Sequence, residues 1–304
     1  KHEISKGTIE GCLYVLARGK AEEIEGIFEV LDKHKISKGI IEGCLSVLAF
    51  GKAKEIEGIF KVLDEHDISK ETIEGCLSVL ALGKAKEIEK IFKVLDKHEI
   101  SKGTIEGCLY VLAQGKAKEI EGIFEVLDKH EISKKAIEGC LSVLARGKAK
   151  EIEKIFKVLD KHEISKKAIE GCLYVLVQGK AKEIEGIFKV LDEHEISKET
   201  IEGCLSVLAK GKAKEIEKIF KVLDKHEISK GTIEGCLYVL AQGKAKEIEG
   251  IFEVLDKHEI SKKAIEGCLS VLALGKAKEI EKIFKVLDKH YINKETIEGC
   301  LSVL

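Results

Sequence analysis

The sequence predicts an all-α fold, a right-handed α-solenoid of about nine and a half 32-residue helix-turn-helix hairpins. Three observations support this prediction. Ten cysteines recur at intervals of 32 residues, from Cys12 to Cys300. Apolar residues in every interval follow helical spacing, and the chain contains no proline to interrupt a helix. A fixed period of this size is typical of arrays in which each hairpin buries its apolar face against its neighbours.

The period also predicts the domain organisation. A length of 304 residues would ordinarily suggest two domains, but an unbroken period without linkers favours a single array. We count positions within a repeat from its first residue, so that Arg18 and Phe50 both stand at position 18. The predicted repeats are 1–32, 33–64, 65–96, 97–128, 129–160, 161–192, 193–224, 225–256 and 257–288, followed by the half repeat 289–304.

Each repeat contains two apolar stripes with helical spacing, and the repeat that begins at Lys97 is representative. Its first stripe falls at i, i+3, i+4 and i+7 and consists of Ile105, Cys108, Leu109 and Leu112. Ser101 precedes this stripe as an N-cap and Gly115 follows it as a C-terminal stop, which predicts helix A of about 13 residues. The second stripe predicts helix B of similar length and consists of Ile120, Ile123, Phe124 and Leu127.

Two short helices cannot bury their stripes alone, so the repeats are expected to stack. Gly107 and its equivalents, with a small Thr or Ala three residues earlier, predict a flat strip where the helix of the next repeat approaches closely. Stacked helices lie about 8–10 Å apart, beyond the roughly 7 Å that a disulfide allows between Cα atoms. The cysteines are therefore predicted to be reduced core thiols in a cytosolic or nuclear protein.

Charge and composition exclude several classes of protein. The chain has 52 basic and 54 acidic residues, so it lacks the basic excess that by itself announces a nucleic-acid binder. No apolar run approaches the roughly 18 residues of a membrane span, and no signal-peptide pattern opens the chain. The ten histidines occur once per repeat and do not converge, and no catalytic constellation is present. We therefore expect an intracellular protein that is not an enzyme and uses no metal, cofactor or small-molecule substrate.

Variation between repeats concentrates at position 18, which reads Arg18, Phe50, Leu82, Gln114, Arg146, Gln178, Lys210, Gln242 and Leu274. Positions 7 and 14 also vary, and their spacing places them on the same face of helix A as position 18. Free drift of exposed residues would explain this pattern. Against drift, positions expected to be exposed on helix B, such as Glu23, Glu25 and Asp32, hardly vary.

Position 26 varies too, between Gly and Lys, and Tyr at position 14 occurs only in repeats with Gly at position 26. Two explanations are open: the side chains at positions 14 and 26 compensate for one another in packing, or the chain arose by duplication of a two-repeat block.

An invariant Gly-Lys follows position 18 directly. Its lysines are Lys20, Lys52, Lys84, Lys116, Lys148, Lys180, Lys212, Lys244 and Lys276. These lysines are predicted in the first turn of helix B, where a cation typically costs about 0.3–1 kcal/mol against the helix dipole. A helix N-terminus with free amides, a glycine and a lysine is an anion site, and a row of them would match a phosphate backbone. Alternatively, Glu23 and Glu25 neutralise the turn and the lysines are only solvated.

Two families of helical repeats are similar to this one. The run from Gly19 to Leu31 resembles the second helix of pentatricopeptide repeats, which bind single-stranded RNA one base per repeat. Helix A matches that family less well, the repeat is shorter, and the variable residue lies in a different turn.

The stronger likeness is to transcription activator-like effector repeats, which bind duplex DNA. The similar pieces are Ile36-Ser37 at the start of helix A, a variable residue before Gly51-Lys52, and Val62-Leu63 with His66 at the end of the repeat. The resemblance implies that position 18 faces bases and that the nine lysines contact phosphates. This chain departs from the family because position 17 is fixed as Ala except at Val177, and helix B lacks the family's proline.

Two functional hypotheses follow. In the first, the protein is a modular nucleic-acid reader, with duplex DNA favoured over single-stranded RNA. Arg and Lys at position 18 suit guanine, Gln suits adenine, and apolar residues suit the thymine methyl group. In the second, it is a protein-binding, peptide-binding or structural scaffold, natural or engineered, as the near-neutral charge favours. Lysines aligned with position 18 would favour nucleic acid, whereas lysines capped by glutamates or facing away would favour the scaffold.

Overall fold

The computed structural model describes residues 4–301, and in this range the chain is all-helical, with 19 helices and no strand. The helices fall into two compact halves, Lys1–Lys150 and Glu151–Leu304, which are described separately. Within each half, helix A packs on helix A of the next repeat and helix B packs on the next helix B. The predicted α-solenoid architecture is confirmed. None of the described helices combines the length and apolar character that a membrane span requires.

The two kinds of helix alternate regularly along the chain. The A helices are α1 (Lys6–Leu16), α3 (Lys38–Leu48), α5 (Lys70–Leu80), α7 (Lys102–Leu112), α9 (Lys134–Leu144), α11 (Lys166–Gln178), α13 (Lys198–Leu208), α15 (Lys230–Leu240), α17 (Lys262–Leu272) and α19 (Lys294–Cys300). The B helices are α2 (Ala21–Lys33), α4 (Ala53–Glu65), α6 (Ala85–Lys97), α8 (Ala117–Lys129), α10 (Ala149–Lys161), α12 (Ala181–Glu193), α14 (Ala213–Lys225), α16 (Ala245–Lys257) and α18 (Ala277–Lys289). Most A helices are thus two residues shorter than predicted.

The apolar stripes form the core, as the spacing predicts. In the fourth repeat the buried set is Ile105, Leu109, Leu112, Ile120, Ile123, Phe124 and Leu127, each no more than 3% exposed. No polar or charged side chain in the described part of the chain is buried. Because burial of one such side chain stabilises by about 1.5–3 kcal/mol, stacking of the stripes is the main source of stability.

Helix A begins and ends differently from helix B. Ser101 is the N-cap of α7, and its side chain accepts a hydrogen bond from the Thr104 amide at 3.4 Å, as predicted. Gly115 does not have the left-handed conformation of a C-terminal stop, because no described glycine has a positive φ. A Cβ there would instead lie 2.8 Å from the Cδ1 of Ile120 and 3.1 Å from the Leu112 oxygen. The glycine is required by close packing in the turn.

The left-handed residue lies at the other turn, where helix B ends. Glu99 has φ 53°, its amide donates to the Asp96 oxygen at 2.8 Å, and the Ile100 amide donates to the Leu95 oxygen at 2.9 Å. These bonds are those of a Schellman motif, which usually places glycine at the left-handed position. Equivalent residues with φ between 51° and 53° are Lys35, Asp67, Glu131, Glu163, Glu195, Glu227, Glu259 and Tyr291.

The predicted close approach at Gly107 is wrong. A Cβ on Gly107 would meet nothing within 4 Å, so this face of helix A is open. The close approach lies between B helices, where a Cβ on Gly58 would be 2.6 Å from the Cβ of Ala85. Sequence alone does not separate the two glycines because both lie inside helices.

Candidate nucleic-acid interface at the turns between helices A and B

Position 18 lies in the short connection between helix A and helix B, and all nine of its residues are exposed. The apolar members are largely solvent-facing, with Phe50 56%, Leu82 61% and Leu274 60% exposed. In the sixth repeat the neighbouring Val177 is buried and α11 continues to Gln178, so this position 18 is the last helical residue. We call the surface formed by positions 14, 18 and 20 in each half the turn edge.

Positions 14 and 18 are neighbours on the turn edge. Arg18 Nη1 donates a hydrogen bond to the Tyr14 hydroxyl at 3.0 Å, and its guanidinium carbon lies 5.5 Å from the ring centroid. Gln242 Nε2 donates to the Tyr238 carbonyl oxygen at 3.4 Å. These i, i+4 contacts place positions 14 and 18 side by side in the first and eighth repeats. Position 18 was predicted to lie on helix A, but most A helices end two residues before it. The four tyrosines at position 14 are 47–75% exposed.

The lysine at position 20 lies one residue earlier than predicted, at the N-cap of helix B. Lys52, for example, has extended backbone, forms no side-chain cap, and is followed by α4 at Ala53. All nine of these lysines are exposed, and the lysine ion pairs within residues 4–301 involve other lysines. An N-cap is a position where Ser, Thr, Asp or Asn would normally supply a hydrogen bond, so lysine contributes nothing to the helix there.

In eight of the nine B helices, all except α2, the first amide is not free, contrary to the sequence prediction. The Ala53 amide donates to Glu23 Oε2 at 2.7 Å, so a carboxylate of the preceding repeat caps the helix. Such a carboxylate offsets the positive end of the helix dipole. The equivalent pairs span 2.7–3.4 Å and are Ala85–Glu55, Ala117–Glu87, Ala149–Glu119, Ala181–Glu151, Ala213–Glu183, Ala245–Glu215 and Ala277–Glu247. A carboxylate of the chain itself therefore occupies the first of the amides that were predicted to be free for an anion.

At the start of helix A, a backbone amide likewise donates a hydrogen bond to a glutamate of another repeat. The Ser69 amide donates to Glu106 Oε1 of the next A helix at 2.6 Å. This backbone hydrogen bond, with a weaker contribution from the Ser69 side chain, lowers the pKa of Glu106. Pairs of this type are Ser5–Glu42, Ser37–Glu74, Ser101–Glu138, Ser165–Glu202, Ser197–Glu234, Ser229–Glu266 and Ser261–Glu298.

Histidine links the ends of consecutive B helices. His66 Nε2 lies 2.9 Å from Asp96 Oδ2, its Nδ1 lies 2.7 Å from the Val62 oxygen, and its ring packs on Phe92 at 4.5 Å. Both partners are acceptors, so the protonated ring satisfies both contacts. Burial lowers the pKa of His66, but the bonds to Asp96 and Val62 outweigh this effect and raise the pKa overall. His2 lies outside the described residues.

These junction contacts change the interpretation of the constant positions. Glu23 is constant because it caps the next helix B, and the equivalents of Asp32 are constant because they pair with histidine. The constancy of positions 23 and 32 is thus no evidence against free drift at position 18, but these contacts do not explain the constancy of Glu25. Sequence reasoning missed these roles, although the invariance of position 23 was a signal of them.

The predicted core position holds for only half of the cysteines: Cys76, Cys140, Cys172, Cys204 and Cys268 are buried, Cys12, Cys44, Cys108 and Cys236 are half-buried, and Cys300 is exposed. None of the ten forms a disulfide within the described residues. Burial raises the pKa of Cys140 and Cys172 to about 12. Cys140 Sγ donates to the Ala136 oxygen at 3.1 Å. A thiol held protonated in this way is a poor nucleophile and metal ligand. Within residues 4–301, no three His, Cys, Asp or Glu side chains come together as a metal site would.

Comparison of the sequence with models of protein families and with curated proteins found no match.

Proposed function

We propose that the protein binds nucleic acid along the turn edge, with position 18 facing bases and the lysine at position 20 facing phosphates. One observation carries the proposal. In both halves, every exposed side chain at position 18 is followed two residues later by an exposed lysine that has no ion pair within the described residues. An anionic ligand with a regular backbone is the partner that such a row of cations suits.

Phosphate binding on this edge depends on lysine side chains. Because glutamate already occupies the first amide of helix B, the helix end adds little attraction of its own. Lysine binds phosphate as a point charge and needs no fixed geometry. Arg18 and Arg146 in the N-terminal half and Lys210 in the C-terminal half add positive charge to the turn edge of their own half, although the chain as a whole has a net charge of -2. A local group of positive charges attracts a polyanion even where the net charge is negative.

Bases would meet positions 18 and 14. Arg, Lys and Gln present the donors that read guanine and adenine edges, and Phe or Leu can contact a thymine methyl group. The exposed tyrosine rings at position 14 add aromatic surface beside these side chains. Duplex DNA remains the favoured partner because one piece of the likeness to transcription activator-like effector repeats, the variable residue before Gly51-Lys52, lies in this turn.

The test is binding of mixed-sequence duplex DNA, with single-stranded RNA in parallel, over a salt series. We expect K52Q/K84Q to reduce the slope of log K against log salt by about 2, since each lost phosphate contact removes about 0.9. The matched control K61Q/K93Q removes the same charge from exposed mid-helix lysines of α4 and α6 and should leave the slope unchanged. Equal losses in the two variants, or no salt-dependent binding by the unmodified protein, would contradict the proposal.

The exposed apolar residues of the turn edge favour a second candidate function, that of a peptide-binding scaffold. Tyr14, Phe50, Leu82 and Tyr110 are each at least 47% exposed in the N-terminal half. Exposed aromatic anchors are frequent in protein interfaces. Selection of bound oligonucleotides separates the two functions, because a code predicts related bases opposite Gln114, Gln178 and Gln242. A pool that gains no consensus favours the scaffold.

A further inference from the structure

The junctions between consecutive B helices are of two kinds, according to position 26. Where this residue is glycine, as at Gly58 and Gly186, an added Cβ would lie 2.6 Å from the Cβ of an alanine in the next B helix. Such a junction has no room for any side chain. Lysine at position 26 therefore requires a different helix spacing.

The hydrogen bonds that cap the B helices differ in length between the two kinds of junction. The distance from the alanine amide to the capping carboxylate is 2.7 Å at Gly26 and 2.8 Å at Gly186. It lengthens to 3.1 Å at Lys90, 3.4 Å at Lys154 and 3.2 Å at Lys218. The longest bond belongs to the junction of α10 with α12. Lysine at position 26 thus loosens the contact between the two helix N-termini.

A groove follows each such junction on the outer face of the B helices. The grooves beside Lys154 and Lys218 enclose about 620 and 600 Å³, against about 370 Å³ beside Gly26. The groove beside Lys90 is also about 370 Å³. Lysine at position 26 therefore allows a larger groove but does not always produce one. A volume near 600 Å³ is within the range of about 300–1,000 Å³ of small-molecule sites.

Charge distinguishes the groove between α10 and α12 from the others. Two carboxylates, Glu185 and Asp192, line it together with five lysines, which are Lys154, Lys157, Lys161, Lys182 and Lys189. Asp192 is itself 3.2 Å from the Nδ1 of His162. The groove between α2 and α4, in contrast, balances three lysines against three carboxylates, which are Lys33, Lys54, Lys61, Glu29, Glu57 and Asp64.

The ammonium groups of this groove are available to a ligand. Lys161 and Lys182 form no ion pair within residues 4–301. Lys154, Lys157 and Lys189 pair only with carboxylates of their own helices that do not line the groove, namely Glu151, Glu153 and Glu193. Such exposed pairs are weak, about 0.2–1 kcal/mol, so a more highly charged anion can displace them.

We propose that the groove between α10 and α12 binds a compact anion that carries several phosphate groups. Five lysines on two facing helices surround a space of suitable size, and a concave surface concentrates their field. Flexible lysines accommodate phosphates of differing geometry. The site is separate from the turn edge, because no lysine of position 20 lines it.

Calorimetric titration with inorganic tripolyphosphate tests the site at an ionic strength of about 0.15 M, where charges outside the groove are screened beyond about 8 Å. We expect K161E/K182E to weaken binding about 10-fold or more, because it reverses two charges in the groove. The matched control K33E/K54E makes the same changes at the same repeat positions of the α2–α4 groove and should change affinity less than about 2-fold. Circular dichroism of both variants checks that the helices are intact.

A second variant, K154G, removes one ammonium group and installs the residue that five other repeats carry at position 26. It should fold, close the junction, and also weaken binding. No binding by the unmodified protein, or equal losses in K161E/K182E and K33E/K54E, would overturn the proposal. The turn-edge variant K52Q/K84Q should retain tripolyphosphate binding, so this site and the proposed nucleic-acid interface can fail independently.

Discussion

The two ends of each hairpin differ in how their residues are used. At the turns from helix B to helix A, histidine pairs with aspartate, the serine amide meets a glutamate, and a non-glycine residue is held at a positive φ. At the turns from helix A to helix B, glycine and the glutamate cap are fixed by packing, whereas positions 18 and 20 project into solvent. The first end is used almost entirely for holding repeats together.

This difference explains the pattern of variation without reference to function. A residue is constant where it contacts the next repeat, and position 18 varies because no neighbouring repeat requires a particular side chain there. The exposed lysine at position 20 is one of several exceptions, since Gly11 and its equivalents are also constant although a Cβ there would meet nothing within 4 Å. A polyanionic partner would explain the constancy of this lysine.

The comparison is tested most strongly by one matched pair of phenylalanines. Phe60 is 0% exposed and packs against His34 at a junction, whereas Phe50 is 56% exposed on the turn edge. We expect Phe60→Ala to cost about 3–5 kcal/mol of unfolding free energy and Phe50→Ala to change it by no more than about 0.5 kcal/mol. Urea unfolding, with hydrogen exchange of α4 amides, measures both. A large loss from Phe50→Ala would mean that the turn edge is also structural.

Two helix-interior glycines of the second repeat provide the next test. Gly58 lies at a B-helix junction where a Cβ would be 2.6 Å from Ala85, while a Cβ at Gly43 would meet nothing within 4 Å. Gly43→Ala should stabilise by about 0.5–1 kcal/mol through helix propensity. Gly58→Ala should destabilise by about 1–2 kcal/mol, because overpacking outweighs the same gain. Thermal unfolding measures both, and shifts of the same sign would show that the junction can relax.

The left-handed residue at the end of helix B gives a smaller effect. Glu99 has φ 53°, so Glu99→Gly should relieve backbone strain and stabilise by about 0.5–1 kcal/mol. Gln114→Gly, in the opposite turn, has no positive φ to relieve and should bring no gain. Denaturation midpoints distinguish the two variants. Destabilisation by Glu99→Gly would indicate that the glutamate side chain contributes more than the strain costs.

The smallest effect is a pH dependence at the histidine junction. The pKa of His66 is raised above its ordinary value of 6.5, so the protonated pair with Asp96 stabilises fully below that value and less as pH rises through the folded pKa. The unmodified protein should therefore lose more stability between about pH 6 and pH 8 than His66→Gln.

The lowered pKa of Glu106 acts in a different pH range, because that contribution is lost only as pH falls below the ordinary value of 4.5. Thermal unfolding at the two pH values makes the comparison for His66. Identical pH dependence in the unmodified protein and His66→Gln would exclude the junction as its source.

Local periodicity was sufficient to predict the helices and the core, because stripes such as Ile120, Ile123 and Phe124 are spaced as the helix requires. It was not sufficient for contacts between repeats. The bond from Glu23 to Ala53 depends on the spacing between two B helices, which no local pattern encodes. Similarly, the left-handed Glu99 has no glycine to mark it, and the glycine at position 19 serves packing.

The turn edge was predicted in part. The helix pattern predicted that position 18 lies beside position 14, and Arg18 contacts Tyr14 in the first repeat. It also placed position 18 on helix A, whereas most A helices end before it. The prediction that the Ala53 amide beside Lys52 is free was wrong, because Glu23 accepts its hydrogen bond. No local sequence pattern shows which carboxylate reaches this amide. The groove at Lys154 was not anticipated, since its lysines come from two helices of different repeats.

The cap bonds also make the chain modular in a strict sense. Within each half, the B helices after α2 are capped by the repeat before them and most A helices by the repeat after them, through bonds between residues 30 and 37 apart in sequence. Excision of one whole 32-residue repeat therefore rejoins an identical donor with an identical acceptor. Excision of any other length would leave caps mismatched on both sides. Each half can thus be shortened or extended by whole repeats without loss of a cap bond.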